Sequence, residues 1–254
     1  MDWDLPAIVL DTSPYGDSDL IATVMTREHG AHRGLVRGGA SRGHAGMWQV
    51  GNFIQARWMG RLSDQLGQLR GELVHATAAA VMDEALPLAM LSAITALAHD
   101  ALPEREPHEA VFAGLVTLLP RLTLGQAMLA ELVRWEMVLL ADLGFGLDLT
   151  RCAVTGAIEG LVRVSPRTGR AVTAAGAGEW AERLLPLPAF LAGADRSGAA
   201  ESGAADWRDG LRLTGHFLAR DVFGARHRPL PMARLMLYDR VAVLAADQED
   251  QNAG

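Results

Sequence analysis

Seven arginines, Arg27, Arg33, Arg37, Arg42, Arg57, Arg61 and Arg70, lie in the stretch 27–70 against only Glu28 and Asp64, a local charge of +5. Guanidinium groups are planar, permanently charged donor forks suited to phosphate and carboxylate oxygens. Trp48, Phe53 and Trp58 are interleaved with them, and exposed aromatic faces stack on bases. Strand alternation puts Phe53, Gln55 and Arg57 on one face and Ile54, Ala56 and Trp58 on the other, so part of this aromatic set must fill a core. Arg33, Leu35 and Arg37 share a face in the same way. Basic residues on a barrel are often just its solvated surface; strands shared with aromatics favour binding of a single strand.

Other chemistry is thinly represented. Cys152 is the only cysteine, which excludes an internal disulfide and fits a reducing compartment. A structural zinc site wants four ligands, usually in CxxC pairs, and the partner position in Cys-Ala-Val-Thr is Thr155. With the second pair absent, Cys152 reads as a small buried hydrophobe, and neither metal nor cofactor is expected. Motifs of the GxSxG, Walker, HExxH and GxGxxG types are missing, so no enzyme constellation assembles. The glycines Gly34, Gly38, Gly39, Gly43 and Gly46 lead towards strand-like sequence instead of opening a helix, and they read as a mobile loop.

The elements that must position these residues follow from periodicity. The chain has 254 residues, half of them hydrophobic, with a net charge of −7 and no lysine. Short apolar or alternating runs at 5–10, 20–26, 31–37, 52–59 and 66–73, separated by glycine turns and by no helical pattern, predict a small closed barrel. An SH3-like barrel is possible, and an OB-fold is preferred. After residue 76 the texture becomes alanine- and leucine-rich helix, with Pro87 kinking it or dividing two helices.

A core helix is expected at 126–143, its stripe formed by Leu129, Leu132, Trp135 or Glu136, Leu139 and Leu143, closing at Gly144 and Gly146. Short extended pieces follow to residue 175, then helix at 178–185, a solvated Gly/Ala/Ser loop near 193–205, a helix at 206–223 and another from Met232. From 76 to 150 ten acids outnumber three arginines, whereas 226–240 holds four arginines and one acid. The N-terminus lacks the features of a secretory signal, and no apolar run approaches the roughly 20 residues a bilayer requires. A soluble cytoplasmic protein is expected.

The stretch PYGDSDLIATVMTREHGAHRGLVRGGASR, followed by LGFGLDLTRCAVTG, SPRTGR and HRPLPMAR in order, resembles the RecO family of bacterial recombination mediators. The resemblance spans nearly the whole chain. It implies an α+β protein: an OB-fold at 1–75, a helical domain at 76–244 with a degenerate zinc-ribbon-like insertion at 151–175, and a polar tail at 245–254. It also implies a non-enzymatic, nucleoid-associated protein that binds single- and double-stranded DNA and anneals complementary strands. With RecR, such a protein promotes RecA loading on DNA coated by the single-strand-binding protein SSB.

Zinc-bearing members carry two CxxC pairs after the LGFGLDL turn; only Cys152 stands here. Arg27, Arg33, Arg37 and Arg42 occupy basic positions of the family motif, and Arg57 and Arg61 join them on the residue argument. The acidic SSB tail needs an apolar pocket beside an arginine, and charge favours the C-terminal helices, where Arg208, Arg226 and Arg234 accompany the first candidates Arg212, Arg220 and Arg228. Two other readings stay open: a nucleic-acid-processing enzyme with an accessory OB domain, and a protein-interaction scaffold without a DNA role.

Overall fold

A computed structural model of the chain describes residues 2–60, 66–192 and 202–253. It divides into two compact units, Met1–Leu124 and Gly125–Gly254. The first is built on strands β1 (Asp2–Tyr15), β2 (Asp19–Thr26), β3 (Gly30–Val36), β4 (Phe53–Met59) and β5 (Gly67–His75). Their order β1-β2-β3-β5-β4 returns to β1, so this five-stranded OB-like sheet closes on itself as a barrel. β1 outruns its apolar segment: beyond an irregularity at Val9/Asp11 it continues through Pro14, paired with Leu20, before turning at Gly16 with φ 66°. The stretch from Asp11 that reads as a turn is therefore mostly strand, because its partner residues in β2 hold it extended.

The ring closes through two parallel pairs between β3 and β5, Gly34↔Gly67 and Leu35↔Gln68. Glycine is required at this seam because the Trp58 indole fills the barrel behind it. A Cβ on Gly67 would come within 2.4 Å of that ring, and one on Gly34 within 2.7 Å of the Leu69 Cβ. Trp58 is wholly buried, and its Nε1 donates to the Arg33 carbonyl at 3.0 Å. Val9, Val24, Ile54, Ala56 and Leu69 complete the core around it.

The glycine-rich connection after β3 is tied down at both ends. Gly38 N–H donates to Asp19 at 2.8 Å. Buried Asn52 donates to the Gly46 and Met47 carbonyls at 2.9 and 3.2 Å and accepts from Ala78 N–H at 3.1 Å. Composition alone suggested a mobile loop; these bonds and the buried Trp48 anchor it.

Helices α1 (Thr77–Val81), α2 (Ala85–Ala101) and α3 (Glu109–Leu118) complete the first unit. Pro87 sits in the first turn of α2, where its missing N–H costs no intrahelical bond. The segment before α3 runs beside β3: Arg105 N–H donates to the Ala31 carbonyl at 2.8 Å. It passes so close that a Cβ on Gly30 would lie 1.9 Å from the Glu106 oxygen.

The second unit is organised by α4 (Leu129–Asp142), whose stripe Leu129, Leu132, Trp135, Glu136 and Leu139 is buried. β6 (Leu161–Val164) and β7 (Ala171–Thr173) are followed by α5 (Ala174–Ala177) and β8 (Leu185–Pro186), and the three strands form one sheet in the order β7-β6-β8. The insertion expected at 151–175 thus supplies two strands, and the third comes from outside it. Residues 178–183 form a 3-10 turn, so the helix expected there stops before β8.

α6 (Ala204–Phe217) passes through a π turn at Leu218–Phe223, and α7 (Met232–Ala253) follows. The polar stretch expected as a tail continues α7: Ala245 is buried, Gln248 accepts from Ala204 N–H at 2.9 Å, and Glu249 pairs with Arg208 at 3.0 Å. Most of the Gly/Ala/Ser loop expected near 193–205 lies outside the described residues.

By length and composition the stretch Glu109–Asp142 is apolar enough to cross a membrane. Gly125, at φ 61° and ψ −127°, breaks it between α3 and α4, and Glu136 within it is buried in an ion pair with Arg234.

Candidate nucleic-acid interface

Strand register and a shared cleft gather three arginines on the barrel. Arg57 of β4 pairs directly with Arg70 of β5. β3 and β5 pair only at Gly34↔Gly67 and Leu35↔Gln68, and beyond these pairs Arg37, just past the end of β3, lines one cleft together with Arg70. All three side chains are exposed, and none makes an ion pair or side-chain hydrogen bond among the described residues. Neighbouring strands lie about 4.8 Å apart, and like charges directly opposite destabilise a sheet. A row of this kind is an unneutralised field in a protein of net charge −7, suited to an anionic chain laid across the strands. Asp4, opposite Arg57 on β1, marks its limit and accepts from Gln55 at 2.6 Å.

The other expected contacts divide. Arg42 is exposed in the glycine-rich connection, whereas Arg61 lies outside the described residues. Arg27 pairs with Glu109 at 2.9 Å, both side chains about two-thirds exposed, and Arg33 pairs with Glu104 at 3.7 Å, both about half exposed. Exposed pairs of this kind contribute about 0–1 kcal/mol, so a phosphate can displace the carboxylate. Acids next to α3 therefore occupy one flank of the basic surface.

The aromatic half of the sequence pattern is largely spent on packing. Trp48 and Trp58 are core residues, and Phe53 is half-buried with its ring edge-on to His75 at 6.2 Å. Behind the strands Trp3, His29, His32 and Trp58 form one ring cluster, with Trp3 and Trp58 stacked at 6.3 Å and His32 edge-on to Trp58 at 5.4 Å. Burial pushes the His32 pKa down, with smaller contributions from Arg105 and His29, against a hydrogen bond to the His29 carbonyl and the charge of Glu104.

Arg70 was missed as a contact residue by the sequence pattern. Its outward alternation, next to the apolar Leu69 that turns inward, was the available signal.

In the second unit Arg212 and Arg228 are exposed, with Arg228 next to His227 at φ 53°. Arg220 is committed locally: it donates twice to Asp221 at 2.7 Å and to the Pro166 carbonyl, and it lies over the Phe217 ring at 4.9 Å. Hydrogen bonding to Asp221 raises its pKa. Arg234, counted from charge among available arginines, is buried. A groove of about 280 Å3 is lined by Met137, Val138, Leu147, Leu149 and Leu191, and its arginine is Arg134, not Arg212, Arg220 or Arg228. Arg134 reaches Glu131 at 2.5 Å and the Phe190 carbonyl at 3.2 Å.

Cys152 lies at the start of the stretch 151–175, where the family resemblance led to the expectation of a degenerate zinc-ribbon-like insertion. Its buried Sγ accepts from the N–H groups of Thr155 and Thr173, both at 3.3 Å, and a Cβ on Gly176 would fall 2.9 Å from it. Two hydroxyls and a glycine beside one thiol do not fit zinc, which wants thiolate or imidazole donors. Burial raises the thiol pKa, but the hydrogen bonds from Thr155 and Thr173 outweigh it and bring the value to about 6.

The class these features define is an α+β protein whose OB-like N-terminal barrel carries an open arginine row and whose C-terminal unit is mainly helical. The chain belongs to the RecO family of DNA repair proteins: the family described as recombination protein O N terminal matches residues 1–77, and that described as recombination protein O C terminal matches residues 84–230. It is 54% identical over 251 residues to the DNA repair protein RecO of Granulibacter bethesdensis, covering 98% of this chain and 99% of that protein. It is 55% identical over 243 residues to the RecO of Acidiphilium cryptum, covering 95% and 96%.

Proposed function

We propose that this chain is a cytoplasmic, nucleoid-associated recombination mediator that binds single- and double-stranded DNA, anneals complementary strands and, with RecR, promotes RecA loading on SSB-coated single strands. The observation that carries the DNA-binding reading is the group Arg57, Arg70 and Arg37, which makes no ion pair among the described residues although Asp4 stands opposite Arg57. Each phosphate held there releases condensed counterions, which gives affinity without base preference. That same indifference suits annealing, since either strand is held by its backbone while its base edges stay free to pair.

For the SSB tail, shape favours the α4 groove over the exposed arginines Arg212, Arg220 and Arg228. A hydrophobic terminal residue would enter between Val138 and Leu191, with Arg134 in the groove wall towards its carboxylate. Charge alone favours the C-terminal arginines, and the two placements make different predictions. Val138→Asp should abolish binding of an SSB C-terminal peptide, whereas Arg212→Glu, Arg220→Glu and Arg228→Glu should each leave it intact.

The direct test of the whole reading is fluorescence anisotropy of labelled single-stranded DNA across a salt series, with an annealing assay alongside. Binding that weakens steeply with salt, and annealing without turnover, is expected. Binding insensitive to salt would remove the phosphate reading, and covalent turnover of any nucleic acid would favour the enzyme alternative.

A further inference from the structure

At the seam where β3 meets β5, a cleft of about 270 Å3 opens between the two strands and the anchored connection after β3. Leu35 and Met47 supply apolar wall, Gln68 supplies an amide, Arg37 and Arg70 supply charge, and His44, held by Ser41 at 3.1 Å, contributes a ring. Gln68 makes no side-chain hydrogen bond among the described residues, so both its donor and its acceptor capacity remain open. The volume lies below the roughly 300–1,000 Å3 of sites that enclose drug-sized ligands, so the cleft admits about one planar ring system.

We infer that the cleft is a single-nucleotide subsite within the proposed DNA surface: one base of a single strand enters it, and the flanking phosphates lie on Arg37 and Arg70. Charge complementarity commits the occupant to an anion, and the apolar wall beside an open amide commits it to a base carrying that anion. A duplex would not fit in this way, because its bases are stacked and paired. The inference rests on the DNA-binding reading but adds a separate expectation. Single strands should be held partly through one unstacked base, while duplexes use the arginine row alone.

The test compares a short oligothymidylate with an abasic strand of equal length and equal phosphate number, for the wild type, Leu35→Trp and Gln68→Ala. The wild type should prefer the base-bearing strand about fivefold or more, in line with the contribution of one base contact. Leu35→Trp, which fills the cleft and keeps every arginine, should erase the preference without changing the salt slope. Gln68→Ala, a milder change in case the tryptophan disturbs the barrel, should reduce it. Equal wild-type affinity for both strands, or a preference that survives both substitutions, would overturn the subsite while a salt slope dependent on Arg37 and Arg70 left the DNA surface standing. A slope indifferent to those arginines would overturn the underlying reading instead.

Discussion

Arg234 of α7 grips Glu136 of α4 from 98 residues away, with Nε donating to one carboxylate oxygen at 2.5 Å and Nη2 to the other at 3.0 Å. Both side chains are essentially inaccessible to water. The Thr214 hydroxyl donates to the same carboxylate, and Arg234 also reaches the Leu211 carbonyl at 2.8 Å. α4, α6 and α7 are therefore joined through one satisfied polar network. Removing one partner strands a buried charge, so Arg234→Met should cost about 3–5 kcal/mol, whereas adding Glu136→Leu should return much of that loss. Urea denaturation of the single and double variants reads both values. A double variant as unstable as the single one would show that the pair acts through geometry that leucine and methionine cannot replace.

The acids that face Arg27 and Arg33 should act as competitors of DNA. Replacing Glu104 and Glu109 together by Gln is expected to tighten single-strand binding by about two- to thirtyfold at low salt, the range implied by two exposed pairs of about 0.2–1 kcal/mol each. Anisotropy titration of the double variant checks this, and unchanged or weaker binding would mean that the two arginines do not meet phosphate.

The barrel and its outward residues were legible in the sequence because period-two alternation survives in β4, where Ile54, Ala56 and Trp58 point inward and Arg57 points out. The core stripe of α4 was legible for the same kind of reason. Distant partners were harder to read. Nothing local marks Arg234 as buried, since its acceptor is on α4. The helix through Gln248 and Glu249 depends on Ala204 and Arg208, more than 40 positions earlier. Pro14, in the gap between the apolar runs at 5–10 and 20–26, is held in β1 by its pairing with Leu20 of β2. Arg70 became a site candidate only once register set it beside Arg57 and the cleft brought it together with Arg37.

Cys152 should titrate as a thiolate near pH 6. Because its folded pKa lies below the ordinary cysteine value of about 8.5, the stabilisation is fully present above that value and is lost as pH falls through about 6. The ultraviolet thiolate absorbance of the wild type minus that of Cys152→Ser gives the midpoint. A midpoint above pH 8 would contradict the hydrogen-bond account.

His32 is held neutral by burial among Trp3, His29, Trp58, Arg105 and Glu104, with its pKa below the usual value of 6.5. The unfolded chain then takes up its proton first, so this contribution to stability is present above about pH 6.5 and lost as pH falls through the lower folded value. Between pH 7 and 5.5 the wild type should lose denaturant resistance, and His32→Phe should lose less over the same interval. Equal losses would assign the acid sensitivity to other groups.

Arg37, Arg57 and Arg70 are expected to bind phosphate as one surface. The most direct measurement is the slope of log K against log salt for single-stranded DNA, compared between the wild type and the triple variant Arg37→Ala, Arg57→Ala, Arg70→Ala. At about 0.7 per phosphate contact, three lost contacts should flatten the slope by about 2 while circular dichroism stays native. A folded triple variant with the wild-type slope and affinity would mean that these arginines do not meet phosphate.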